Sequence, residues 1–400
     1  MRRHECLLHM RRIMNPFDVT IIGAGLAGLQ CARLLGRQGL RVLLADRKTS
    51  LDQKVHTTGI FVRRTLEDFD IPEDCLGSTI RRVSLYSPAH RALHLESEHG
   101  EYRIGKMARL YQHYLNQCLE SGVEWFPGAN YVDSHEACKG SLIRFRSGNT
   151  THSIKTKLLI AGDGACSRVA GDLQLDLNRE WIVGVEDVYE NVRISGGPRL
   201  MCFLDPQLAP GYIAWIAYDG EEAHVGVGGY PNRFEPTSAL EKFHRRIHDI
   251  VDFQASTRIE RRGGKIPVGG ILKRIANRRG LLIGDAAGAV SPLTAGGLDP
   301  CMRLSTLAAD VAATYLSNGD ETVLHRYSGQ LFRSKFTSRL WARRMASSVN
   351  SAVIAEAVCG VFRLPGLSRL AARVFFGNGS FPDVGADLMR LRFIEAKNGT

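Results

Sequence analysis

Three stretches of the chain share one pattern, an apolar run that stops at glycine, joined in two of them by aspartate. Phe17 to Ile22 (FDVTII) meets Gly23-Ala24-Gly25, Lys157 to Ala161 meets Gly162-Asp163-Gly164, and Leu281 to Ile283 meets Gly284-Asp285. Short β-branched runs bounded this way read as buried strands. Leu26 to Gln38 has helical spacing and Arg41 to Ala45 reads as a second strand, so the chain opens as a βαβ unit. A long helical pattern, Gly297 to Leu316, follows the third run. Similar strand ends lying far apart in the chain predict a single discontinuous nucleotide-binding domain.

Between these runs the period changes. Leu200 to Leu204, Tyr212 to Tyr218 and Ala223 to Tyr230 read as antiparallel strands, with Asp219-Gly220 as a hairpin turn. After Asp320 the pattern is helical and broken at Pro365-Gly366. The expected organisation is a flexible extension over 1–14 and a nucleotide-binding domain over 15–75, 100–178 and 275–320. A β-sheet substrate domain over 76–99 and 179–274 and a helical C-terminal region over 321–400 complete it.

The composition is that of a globular chain: of 400 residues 44% are hydrophobic and 23% charged, enough to bury a large core. Net charge is +11, and residues 321–400 hold 12 Lys and Arg against 5 Asp and Glu. That basic excess suits phosphates or anionic lipid, and without a recognition motif it gives no reason to expect nucleic acid. The nine cysteines include no C-x-x-C pair, which argues against a zinc ribbon, an iron–sulfur cluster or a secreted disulfide framework. No metal is expected. No apolar run reaches the roughly 18 residues needed to span a bilayer, and MRRHECLLHMRRIM lacks the apolar centre of a signal peptide. A cytoplasmic protein is expected, with Met14 a candidate start. Leu367, Leu370, Val374 and Phe375 fall on one helical side with Arg369 and Arg373 on another, a pattern that fits a helix packed on the protein's own core and equally one that lies on a membrane surface.

Gly23-Ala24-Gly25-Leu26-Ala27-Gly28 fits G-x-G-x-x-G and sits between a strand and a helix. Gly23 makes the tight turn, Gly25 lets backbone approach a pyrophosphate, and Gly28 permits close packing of helix on strand. Asp46, ending the second strand, is placed to accept from a ribose. NAD and FAD both satisfy this motif.

Two further segments narrow the choice. LLIAGDGACSRVA (158–170) and GLLIGDAAGAVSPLTAGGLDPCMRLSTLAAD (280–310) resemble the G-D-G-x-x-S and G-D-A-A-G…P…G-G motifs of the FAD-dependent aromatic hydroxylase and geranylgeranyl reductase superfamily. The resemblance implies an α/β fold with a Rossmann-like FAD-binding domain of the glutathione reductase/PHBH type, an antiparallel β-sheet substrate domain and a helical C-terminal region. It also implies that Asp285 holds the ribityl chain, that Pro292 to Leu298, including Gly296 and Gly297, runs beside the flavin ring, and that Arg109 contacts FAD phosphate or ribose. Asp163 and Gly164 would link the diphosphate to the place where a nicotinamide donor visits. The helix beginning near Gly297 would aim N–H groups at the ring and favour its reduced anion.

Within the superfamily, Pro210-Gly211-Tyr212-Ile213-Ala214-Trp215 is similar to the P-G-G-Y-x-W segment of the geranylgeranyl reductases, and the Gly264 to Gly270 loop also looks like theirs. Their active-region cysteine is replaced by His56. The implied activity is reduction of carbon–carbon double bonds in a prenyl chain, with FAD reduced by NAD(P)H or reduced ferredoxin. His56 or Tyr212 would supply the proton beside Trp215. A monooxygenase is the alternative, and a non-redox flavin-dependent cyclase or a prenyl-binding escort protein are more distant ones. The expected partner is a small hydrophobic isoprenoid, with peripheral membrane contact and an open oligomeric state.

Overall fold

The computed structural model of the chain describes residues 16–52, 55–334, 336–364 and 366–376. The expected extension at 1–14 lies outside the described residues, as does the chain after Phe376. Phe17–Ile22 pairs in parallel with Thr150–Ala161 on one side and Val42–Ala45 on the other. Gly280–Leu282 and Glu124–Phe126 continue the sheet outward, again in parallel. Helix Leu26–Arg37 lies on these strands and packs against Met107–Glu120 and Leu298–Asn318. Val19, Ile21, Leu29, Leu44, Ile160 and Val311 are all fully buried between these layers, which is why the strands read as unbroken apolar runs.

Thr150–Ala161 starts earlier than its apolar half suggests. Its first residues, Thr150 to Thr156, are polar apart from Ile154 and pair antiparallel with Gly140–Ser147, which pairs in turn with Asn130–Ala137. Helix and first strand meet closely at the glycine loop. A Cβ on Gly28 would lie 1.9 Å from the Gly23 carbonyl oxygen, so any side chain there would push the helix off the strand.

A second sheet has seven strands in the order Thr257–Pro267, Trp181–Glu190, Glu222–Gly229, Ala214–Tyr218, Arg199–Phe203, Arg82–Tyr86 and Ala92–Glu96. The pairing is antiparallel except between Arg199–Phe203 and Arg82–Tyr86. Asp219 fixes the predicted hairpin by accepting from the N–H groups of Glu221 and Glu222 at 2.9 and 2.7 Å. Helix Pro236–Arg246 lies on this sheet, burying Leu240 and Phe243 against Met201, Ile216 and Val225. Proline at its first turn and Glu235, which accepts from Thr237 and Ser238 N–H, set where it begins. Three helices, Thr337–Ser348, Ala352–Phe362 and Ser368–Phe376, close the chain's described part. Among the described residues no helix is long and apolar enough to cross a membrane.

Candidate active site

The three glycine loops come together at the carboxyl edge of the parallel sheet, where they wall one end of a cavity of about 1740 Å³. Gly23 has φ +102°, and a Cβ there would meet the Gly162 carbonyl oxygen at 2.2 Å, so the two loops touch backbone to backbone. Gly25 and Gly164 have nothing within 4 Å of where a Cβ would stand. Helix Leu26–Arg37 has no side-chain cap and no acid in its first turn, leaving its N–H groups free for an anion. Asp46 lines the cavity while its two carboxylate oxygens accept from Ala24 N–H at 2.7 Å and Lys48 N–H at 2.8 Å.

Asp285 is the unfinished group in this cradle. Among the described residues nothing donates a hydrogen bond to its carboxylate, and burial without a partner pushes it up to about 6. Its carboxylate lines the cavity and can accept from hydroxyl groups of a ligand there. Asp163 is differently placed. Its carboxylate turns inward, accepting from Ser167 Oγ at 2.6 Å and Arg168 N–H at 2.9 Å, and burial raises it above the ordinary carboxylate value.

These features fit a dinucleotide whose diphosphate meets a helix terminus and whose sugar alcohols meet a carboxylate. Residues 16–339 match the family described as FAD binding domain. The chain belongs to that family. Its cofactor is FAD. The flavoprotein is 28% identical over 368 residues to digeranylgeranylglycerophospholipid reductase 1 of Methanopyrus kandleri, covering 88% of this chain and 96% of that one. It is 24% identical to digeranylgeranylglycerophospholipid reductase of Methanocaldococcus jannaschii over 80% of this chain and 83% of the relative. A geranylgeranyl bacteriochlorophyll reductase-like protein of Thermoplasma acidophilum shares the fold with a TM-score of 0.80 at 18% identity, over 94% of this chain and 99% of that one. A p-nitrophenol 4-monooxygenase of Pseudomonas putida shares it at 0.69 and 16% identity, over 90% and 98%.

The flavoprotein's glycine cradle is built from residues legible in the sequence, with two departures. Arg109 does not line the cavity. It stands in the first turn of Met107–Glu120, is 59% exposed, and donates to the Asp74 carbonyl at 2.9 Å. Pro292 also lies off the cavity wall and faces Gly270, whereas Gly296, Gly297 and Leu298 line it.

Across the cavity the second sheet presents groups that no motif announced. Glu186, only 4% exposed, accepts from Thr58 Oγ1 at 2.6 Å and from Trp215 Nε1 at 3.2 Å. Its other oxygen is 3.5 Å from His224 Nδ1 and 3.8 Å from Arg262 Nη1. His224 Nε2 lies 3.5 Å from Glu222, whose side chain is 32% exposed. Burial opposes charge on the imidazole, but the carboxylates of Glu186 and Glu222 overcome it and hold His224 at about 9. Burial likewise opposes the Glu186 carboxylate, and hydrogen bonds from His224 and Thr58 bring it below its usual value. Arg262 also donates to the Thr57 carbonyl at 3.0 Å, tying the loop that bears His56 to the sheet.

His56 is exposed on the cavity wall, where desolvation and the nearby Lys48 charge hold it below the ordinary histidine value. Tyr212 is half-buried and donates to the Thr294 carbonyl at 2.6 Å, and burial pushes its hydroxyl up.

Two outcomes follow from this arrangement. Asp285→Ala should weaken FAD binding by about 1–3 kcal/mol, the cost of leaving a buried hydroxyl unpaired. Flavin titration of apoprotein checks this, and wild-type affinity would remove Asp285 from the site. The His224 imidazolium should stabilise the fold fully below the unfolded value of 6.5 and lose that contribution as pH rises through about 9. The gap in urea stability between wild type and His224→Gln should therefore close over that window, by no more than about 1.4 kcal/mol per pH unit. A gap that stays constant would mean that His224 is neutral in the folded protein.

Proposed function

We propose that the flavoprotein reduces carbon–carbon double bonds of an isoprenoid chain. The observation that carries this reading is the cavity's second half. The whole cavity, cofactor cradle included, is about 1740 Å³ against roughly 300–1,000 Å³ for an ordinary small-molecule site, which leaves room for a second ligand beside the cofactor. Beyond the flavin loop it runs on between apolar side chains, among them Leu200, Val358, Phe362, Val374 and Phe375. A long hydrocarbon matches such walls, and the names of the two archaeal relatives point to the same substrate class.

We assign the cofactor as follows. Gly23, Gly25 and the start of Leu26–Arg37 would hold the FAD diphosphate, with Gly164 giving it room. Asp46 would take the adenosine ribose, Asp285 the ribityl hydroxyls, and Gly296 to Leu298 would lie along the ring. The chemistry that bound, reduced FAD supplies is hydride transfer, with electrons drawn from NAD(P)H or reduced ferredoxin. An isolated alkene accepts hydride poorly, so a proton must reach the adjacent carbon. His224 holds one between two carboxylates, and Glu186, at the cavity wall, is placed to pass it on. Thr58 and Trp215 keep Glu186 in position. His56 is the competing donor.

Membrane contact belongs to the same reading. Trp341 at 61%, Met345 at 70%, Val353 at 79% and Ile354 at 54% exposure are large apolar groups on the helices that also wall the cavity. A surface of this kind lying over a hydrophobic tunnel suits a bilayer from which a lipid enters.

Reduced enzyme incubated anaerobically with a geranylgeranyl lipid should yield product heavier by two hydrogens for each bond reduced. Product that forms only in air and gains oxygen would establish a monooxygenase instead. His224→Gln should slow this turnover by roughly 10²–10⁴ while FAD reduction survives. Such a loss in His56→Ala alone would return the proton to His56. Binding to anionic vesicles should weaken with salt as the Debye length falls from about 10 Å at 0.1 M to 3 Å at 1 M. It should also weaken in Val353→Asp/Ile354→Asp, and unchanged flotation of that variant would mean that these helices meet something other than lipid.

A further inference from the structure

Arg343 is 5% exposed and lines the cavity, yet among the described residues its Nε and Nη2 have no hydrogen-bond partner. Among the described residues no carboxylate pairs with it; of the acids on this side of the chain, Asp299 and Asp68 go to Arg303 and Glu356 goes to Arg363. Its guanidinium carbon lies 5.1 Å from the Tyr230 ring centroid and 5.6 Å from that of Tyr212. The two rings ease the cation's burial but supply no countercharge. One turn earlier on Thr337–Ser348, Arg339 also lines the cavity, with Nη1 3.5 Å from Ser291 Oγ. Residues four apart share a helix face, so both cations address the same space. Asp299, also on the wall, is engaged at Oδ1 by Arg303 and Thr65, its Oδ2 has no hydrogen-bond partner, and among the described residues it forms no ion pair with Arg339 or Arg343.

A buried guanidinium with unmet donors and no counterion is costly unless an anion arrives. Its planar fork suits an anion with several acceptor oxygens, above all phosphate. The FAD diphosphate is accounted for by other elements, the glycine loop and helix Leu26–Arg37. We propose that Arg343, with Arg339 beside it, binds a phosphate group carried at the head of the prenyl substrate. This rests on the isoprenoid reading above and adds to it an anchor for the substrate's charged end on the wall formed by Thr337–Ser348.

The test uses holoenzyme saturated with FAD and reduced by dithionite, so that no nicotinamide phosphate takes part. Geranylgeranyl diphosphate and geranylgeraniol are compared as substrates, with inorganic diphosphate as a competitor. Wild type should favour the diphosphate through KM, by about tenfold or more, the usual strength of charge-assisted contacts. Arg343→Gln should erase most of that preference and Arg343→Lys should keep part of it, both retaining the flavin spectrum. Inorganic diphosphate should compete in wild type and much less in Arg343→Gln. An unchanged preference in Arg343→Gln overturns the proposal. If wild type reduces neither substrate, the isoprenoid reading fails by itself, and calorimetry with inorganic diphosphate decides the anion site. Binding that Arg343→Gln abolishes supports the site, and equal binding or none overturns it.

Discussion

Parallel strands deliver every following loop to the same edge of a sheet, and this flavoprotein is arranged around that constraint. Residues more than two hundred positions apart meet there only because Phe17–Ile22, Thr150–Ala161 and Gly280–Leu282 run side by side in one direction. Contact between Gly23 and Gly162 is tight enough to forbid a Cβ, so the loops brace each other and the cradle has little freedom left. A cofactor bound at such an edge meets a surface already in shape, and little conformational entropy is lost on binding.

The facing sheet works by a different rule. Neighbouring residues on a strand point to opposite sides, and Glu186 and Asp187 show the consequence. Glu186 turns to the cavity with Thr58, Trp215 and His224, whereas Asp187 turns to Arg261, which donates to it at 2.7 Å, and to His244. Both acids are buried, at 4% and 1% exposure, and each is neutralised by its own partners. One strand thus carries two separate charge networks, one structural and one at the site.

The cofactor half of the site was legible in the sequence because its demands are local. A turn that must leave room for a phosphate needs glycine at fixed spacing, and a strand that ends in a sugar contact needs an acid there. The opposing half was not legible. Thr58, Glu186, His224 and Arg262 come from four separate segments, and each alone looks like a polar residue on a solvated strand or loop. Arg343 looks in sequence like one more charge in a basic helix, and only the folded chain shows that it is buried. Arg109 stands away from the cavity that the resemblance would have it line. A resemblance locates a residue in a helix turn but does not say which side of the helix it faces, and this one faces the Glu73–Cys75 turn.

The apolar walls have a kinetic meaning as well. Hydrocarbon packed against hydrocarbon has no directional bonds, so its energy changes little as a chain moves along its own axis. Val358, Phe362, Val374 and Phe375 would let a prenyl chain slide past a fixed flavin loop as a piston slides in its sleeve. Successive double bonds could then be presented in turn without the molecule being released. The depth of each stop would be set by whatever holds the polar head, much as a ruler is read from its fixed end.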